Sequence, residues 1–136
     1  MSNNLGCSDS MLESIEYSFG YLQVMCHDLA RASGWWDEYD AMPEQYRKYF
    51  LGAKRDLMHT ELAEATEGAR KGLMDDHLPH LKMEEVELAD TIIRILDYAG
   101  QMDYNIVGAI LSKLAYNKSR EDHKPENRAK EGGKSL

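Results

Sequence analysis

The sequence predicts an all-α fold, a bundle of four to five helices followed by a flexible C-terminal tail. Apolar residues recur at three- and four-residue steps over long stretches, β-branched runs are few, and only three prolines interrupt the chain. With 136 residues, 43% of them hydrophobic, the chain fits one domain over residues 1–120 and a polar tail over 121–136.

Ser8, Asp9 and Ser10 are suitable N-caps for a first helix that runs to about residue 32. Leu12, Ile15, Phe19, Leu22, Cys26 and Leu29 form one continuous ridge along it, and Gly34 ends it. A polar and aromatic loop, Trp35-Trp36-Asp37-Glu38-Tyr39-Asp40, closes at Pro43. A second helix covers about 44–72, with Gly52 a point where it can break and Gly72 its stop. Residues 73–82 are turn-rich. A third helix spans about 83–99 and stops at Gly100, and Asp103 caps a fourth over about 104–119. Beyond Glu121 periodicity is lost, and Lys124-Pro125 with Gly132-Gly133 marks the tail.

The chain carries 16 basic and 24 acidic residues, a net charge of −8. Residues 118–136 hold six basic and four acidic residues, so the acidity is concentrated in the rest. A body this acidic is unsuited to polymeric nucleic acid, whose phosphates need a basic face. No run of about 18 apolar residues is present to span a membrane. The N-terminus lacks the basic and apolar regions of a signal peptide. Cys7 and Cys26 form no disulfide framework, which together with that N-terminus points to the cytoplasm.

The acids are arranged rather than scattered. The third helix carries Val86, Leu88, Ala89, Ile92, Ile93, Ile95, Leu96 and Ala99 at many angles and should be largely buried. Its charges nevertheless fall on one line, Glu84, Glu87, Asp90, Arg94 and Asp97, at steps of three and four. Unpaired acids on such a helix would cost several kcal/mol each, so something positive must meet them. The second helix adds Glu61, Glu64 and Glu67 at steps of three. If the two helices run antiparallel, Glu61 and Glu64 can face Glu87 and Asp90. Four carboxylates without sulfur or imidazole are the ligand set of a hard cation, Mg²⁺ or Mn²⁺. The alternative is that these acids line solvent faces with Arg94 and Lys54 as partners, Arg94 neutralising Glu87 or Asp90 directly. His77 and His80 with Asp75 and Asp76 suggest a second metal site, but a polar loop explains them as well. A di-iron bundle would want Glu-x-x-His pairs, and Asp56-x-x-His59 stands alone.

Glu61-x-x-Glu64, a gap of 22 residues and Glu87-x-x-Asp90 together resemble the signature of MazG-like nucleoside triphosphate pyrophosphohydrolases, of the all-α NTP pyrophosphatase superfamily. Consecutive blocks support the resemblance: Gly34-Trp35-Trp36, the segments 59–65 and 70–80, Glu87-Leu88-Ala89-Asp90, and Ala115-Tyr116-Asn117-Lys118-Ser119-Arg120. It covers about residues 12–124. One departure is Thr60, where the family often carries a further acid; this leaves Glu61 and Glu64 to act there.

The resemblance implies cleavage of a (d)NTP to a (d)NMP and pyrophosphate, by attack of water on the α phosphorus with Mg²⁺ held by Glu61, Glu64, Glu87 and Asp90. Glu64, before Glu61, is the choice to accept the water's proton. Lys113, Asn117 and Arg120 share a face of the fourth helix with Lys118 nearby, and could bind β and γ phosphates; the same residues also suit an ordinary basic helix end. Lys54 is a further candidate for substrate. Trp35 and Trp36 could stack on a base or plug a helix end, and Gln23 and His27 could read base edges or face solvent. The apolar third helix and the resemblance both lead to an expected homodimer or homotetramer. A different class of function also fits the acidic line, that of a helical interaction module in which the acids are structural.

Overall fold

The computed structural model describes residues 5–120 and is all-α, with five helices and no strand among them: α1 (Asp9–Ala32), α2 (Asp37–Ala41), α3 (Glu44–Lys71), α4 (Met83–Gln101) and α5 (Ile106–Ser119). The expected tail at 121–136 lies outside the described residues. No helix among those described is long and apolar enough to cross a membrane. The chain divides into two compact units. One runs from Tyr21 to Tyr104; the other holds the described residues up to Gly20 and from Asn105 onward.

The first unit is organised by α3 and α4. Arg55 donates to the Tyr98 hydroxyl at 2.7 Å, Arg94 bonds Glu61, and Gly68 abuts Met83. Contacts that descend along α4 as they ascend along α3 make the pair antiparallel, as the expected convergence of acids requires. Gly68 permits the approach: a Cβ there would lie 2.9 Å from the Met83 Cβ and 3.0 Å from the Glu84 nitrogen. Gly72 takes the left-handed φ of 65° that closes α3. The Leu73 amide then returns to the Gly68 carbonyl, and an isolated bridge between Met74 and Lys82 pinches the connection.

The core of this unit is the Trp36 indole, which is wholly buried. Its ring meets His27, Tyr39 and Phe50 at centroid distances of 5.5–5.9 Å, and its Nε1 donates to Asp97 Oδ1 at 2.7 Å. That anchorage explains one departure from expectation. Residues 37–41 form the short helix α2 instead of a loop, beginning where Trp36 is pinned and held by Arg31 against Asp40 at 2.5 Å.

Three further boundaries differ. Gly52 does not break α3, since helical backbone continues through it. Gly100 lies inside α4, where its missing side chain lets His27 pack at a distance that would put a Cβ 2.6 Å from the His27 Cβ. In the second unit the cap of α5 is Asn105, whose side chain accepts from the Gly108 amide at 2.9 Å, and not Asp103, which turns the chain at a φ of 54°.

The predicted burial of α4 is also reversed in part. Glu87 and Asp97 on the charged line are buried, whereas Leu88, Ile92 and Ile93 are exposed. On α1 the ridge is uneven: Cys26 is buried, Leu12, Ile15 and Phe19 are half-buried, and Leu22 and Leu29 are exposed. Apolar spacing finds a face, but which face turns inward depends on what lies opposite, and opposite α4 lies α3 with its own acids.

Candidate metal centre

The i, i+3 steps on α3 and α4 place their carboxylates on the facing sides of an antiparallel pair. One oxygen each from Glu61, Glu87 and Asp90 lies within 4.8 Å of the others. Glu61 and Glu87 are 6% and 8% exposed and Asp90 is half-buried. Glu64 is exposed, stands outside this trio and lines the same cavity, which measures about 410 Å³. Among the described residues this is the group of acids, histidines or cysteines that can close on one ion. Hard oxygen donors of this kind suit Mg²⁺ or Mn²⁺, with water or a ligand completing the shell.

The electrostatics show how crowded the acids are. Burial, a hydrogen bond with Glu61 and the charges of Glu64, Glu61 and Asp90 push the Glu87 carboxyl up to about 7. Burial and the Glu61 charge raise Asp90 as well, with Arg94 opposing and Asp75 adding to the rise. The positive partner is Arg94, whose Nε donates to Glu61 Oε1 at 2.5 Å. Arg94 therefore makes its direct bond to the opposite helix, at Glu61, and acts on Asp90 by charge alone. Glu87 meets the crowding by holding its proton to higher pH.

Asp97, the last acid of the line, has a different role. It accepts from Trp36 Nε1, pairs with His27 Nδ1 at 2.9 Å and faces Lys54 Nζ at 3.7 Å. The line divides accordingly: Asp97 is filled by protein donors, while Glu87 and Asp90 face the cavity. Lys54 is nearly enclosed; burial pulls its ammonium pKa down and Asp97 partly restores it. Its partner is thus Asp97 rather than the acids of the cavity.

The tryptophans divide between the two readings. Trp36 is the plug, with both its faces and its N–H engaged, so its expected stacking on a base is corrected. Trp35 is 51% exposed, and the Arg94 guanidinium and Lys54 ammonium sit 5.4 and 5.3 Å from its ring. It lines a second, apolar cavity of about 310 Å³ with Leu22, Met25, Leu29 and Ile93; Arg94 lines both cavities. Gln23 donates to the Tyr104 carbonyl at 2.8 Å and His27 is bound to Asp97, so neither is poised to read a base.

Asp75 joins the acidic cavity without any periodic signal in the sequence. It is buried, its Oδ1 accepts from the amides of His77 at 2.9 Å and Leu78 at 2.6 Å, and this turn sets Asp76 and His77 on the cavity wall. His80 is exposed and is not part of that wall. Of the four residues weighed as a second metal site or a polar loop, Asp75, Asp76 and His77 thus join the cavity of the other acids.

Lys113, Asn117, Lys118 and Arg120 belong to α5 and its C-cap, in the other unit. Lys113 and Arg120 lie 4.8 and 5.8 Å from the Tyr116 ring. Among the described residues the buried Asn117 Oδ1 has no hydrogen-bond partner.

Comparison with known protein families, characterised proteins and solved structures returns no match for this chain.

Proposed function

We propose that the protein is a Mg²⁺-dependent nucleoside triphosphate pyrophosphohydrolase of the MazG-like kind, releasing a nucleoside monophosphate and pyrophosphate. The observation that carries this reading is the convergence of Glu61, Glu87 and Asp90 within 4.8 Å, with Glu64 on the same cavity. Buried acids this close are costly without a cation, and one arginine offsets one of them. Glu61, Glu87, Asp90 and Glu64 would hold Mg²⁺, with Mn²⁺ a possible substitute. Bound there, the ion supplies charge neutralisation and orientation for a triphosphate. Glu64, which lines the cavity outside the trio, would accept a proton from water directed at the α phosphorus. Trp35 is the proposed contact to the base.

The exposed Leu88, Ile92 and Ile93 on α4 support the proposal of a homodimer or homotetramer, since a monomer would leave them in water. A cytoplasmic location is part of the same proposal. The competing reading, a binding module with a structural acidic line, is favoured by the complete satisfaction of Asp97. A panel of NTPs and dNTPs with Mg²⁺ decides between them. Pyrophosphate release that is lost in Glu61→Gln, Glu87→Gln and Asp90→Asn, with folding intact, supports the enzyme. Orthophosphate alone, or no turnover, refutes it.

A further inference from the structure

We propose that Arg94 is an exchangeable internal cation: its guanidinium holds Glu61 while no metal is bound, then yields Glu61 to the ion and turns to the phosphate oxygens of the arriving ligand. This rests on the metal-centre reading above. Three observations carry it. Arg94 Nε occupies an oxygen of Glu61, one of the three acids that converge. The bond uses Nε, so the Nη groups of the fork remain for other acceptors. The side chain is 24% exposed, borders both cavities and lies over the Trp35 ring at 5.4 Å, a surface along which it can turn while staying partly sheltered.

The physical consequence is a pair of opposite effects. A cation bound to Glu61 competes with any metal for that carboxylate, so removing it should strengthen the binding of metal alone. A guanidinium that later meets phosphate makes a charge-assisted contact, so removing it should weaken the binding of a metal-carried polyphosphate. A merely structural brace would produce neither split: its loss would loosen α3 from α4 and weaken both.

The test is calorimetric titration of the full chain with Mn²⁺, and then with inorganic tripolyphosphate at saturating Mn²⁺, in wild type, Arg94→Gln and Arg94→Lys. Arg94→Gln should bind Mn²⁺ several-fold more tightly and tripolyphosphate roughly tenfold more weakly, with Arg94→Lys between wild type and Arg94→Gln in both. Weaker or unchanged Mn²⁺ binding in a folded Arg94→Gln overturns the proposal. So does unchanged tripolyphosphate binding. Wild type failing to bind Mn²⁺ brings down the metal-centre reading itself, and the proposal with it. Should Arg94→Gln fail to fold, the wild type still decides. Its Arg94 Nε–H resonance must shift on adding Mg²⁺, and an unmoved resonance in protein that has bound Mg²⁺ overturns the exchange.

Discussion

Glu87 is the residue whose ionisation the site perturbs most clearly. Its carboxyl is pushed up to about 7 by burial and by the neighbouring acids, whereas in the unfolded chain it loses its proton near the ordinary value of about 4.3. Between those limits the folded protein keeps a proton that the unfolded chain releases, so rising pH destabilises the metal-free fold through this window. The raised Asp90 acts in the same direction. Thermal melts without metal should therefore show a fall in stability from pH 5 to pH 8, and Glu87→Gln should flatten that fall. Metal must displace the Glu87 proton, so Mg²⁺ affinity should climb by up to about tenfold per pH unit below 7 and level off above it, as calorimetry can record. The tryptophans differ at the same scale: Trp36→Ala should cost about 3–5 kcal/mol in urea denaturation, and half-exposed Trp35→Ala under about 1 kcal/mol. The acids were legible in the sequence because a step of three on a helix is a local property. The bond between Trp36 and Asp97 was not, because their partners are brought together from four different helices and the loop that precedes α2.

At the scale of elements, three glycines of similar appearance in the sequence divide into two that permit close packing and one that does not need to. Gly68→Ala would drive a methyl group against Met83 and the Glu84 backbone, and Gly100→Ala would drive one into His27. Each should lower stability by about 1–3 kcal/mol. Gly68→Ala should also weaken Mg²⁺ binding, because it separates the helices that carry the acids. Gly52 has nothing within 4 Å of an added Cβ, so Gly52→Ala should stabilise α3 by roughly 0.5–1 kcal/mol. Denaturation of the three variants checks all of this. The ends of α1 and α3 were readable from Gly34 and Gly72, whose positive φ is a local demand of the backbone. Gly100 was misread as a stop because a glycine needed for close packing has the same letter as one needed for a turn. The five residues of α2 are too few to show a period. The orientation of α4 was lost for a related reason: a helix with apolar residues on most sides does not say which of them a neighbour will cover.

For the molecule as a whole, the net charge of −8 and the exposed apolar side chains of α4 pose two separate problems of solvation. The proposed ions answer the first by offsetting the clustered carboxylates. The proposed self-association would answer the second, and light scattering should return the mass of two or four copies, reduced by Ile92→Lys if α4 is covered by the partner. Hydrolysis at the α phosphorus by the four acids of α3 and α4 is the proposed reaction. Its most direct measurement is turnover of nucleoside triphosphates with Mg²⁺ in ¹⁸O-labelled water, followed by mass analysis of both products. One heavy oxygen is expected in the nucleoside monophosphate and none in pyrophosphate, with turnover abolished by Glu87→Gln. Label in pyrophosphate or orthophosphate, or turnover that survives loss of Glu87, would contradict it.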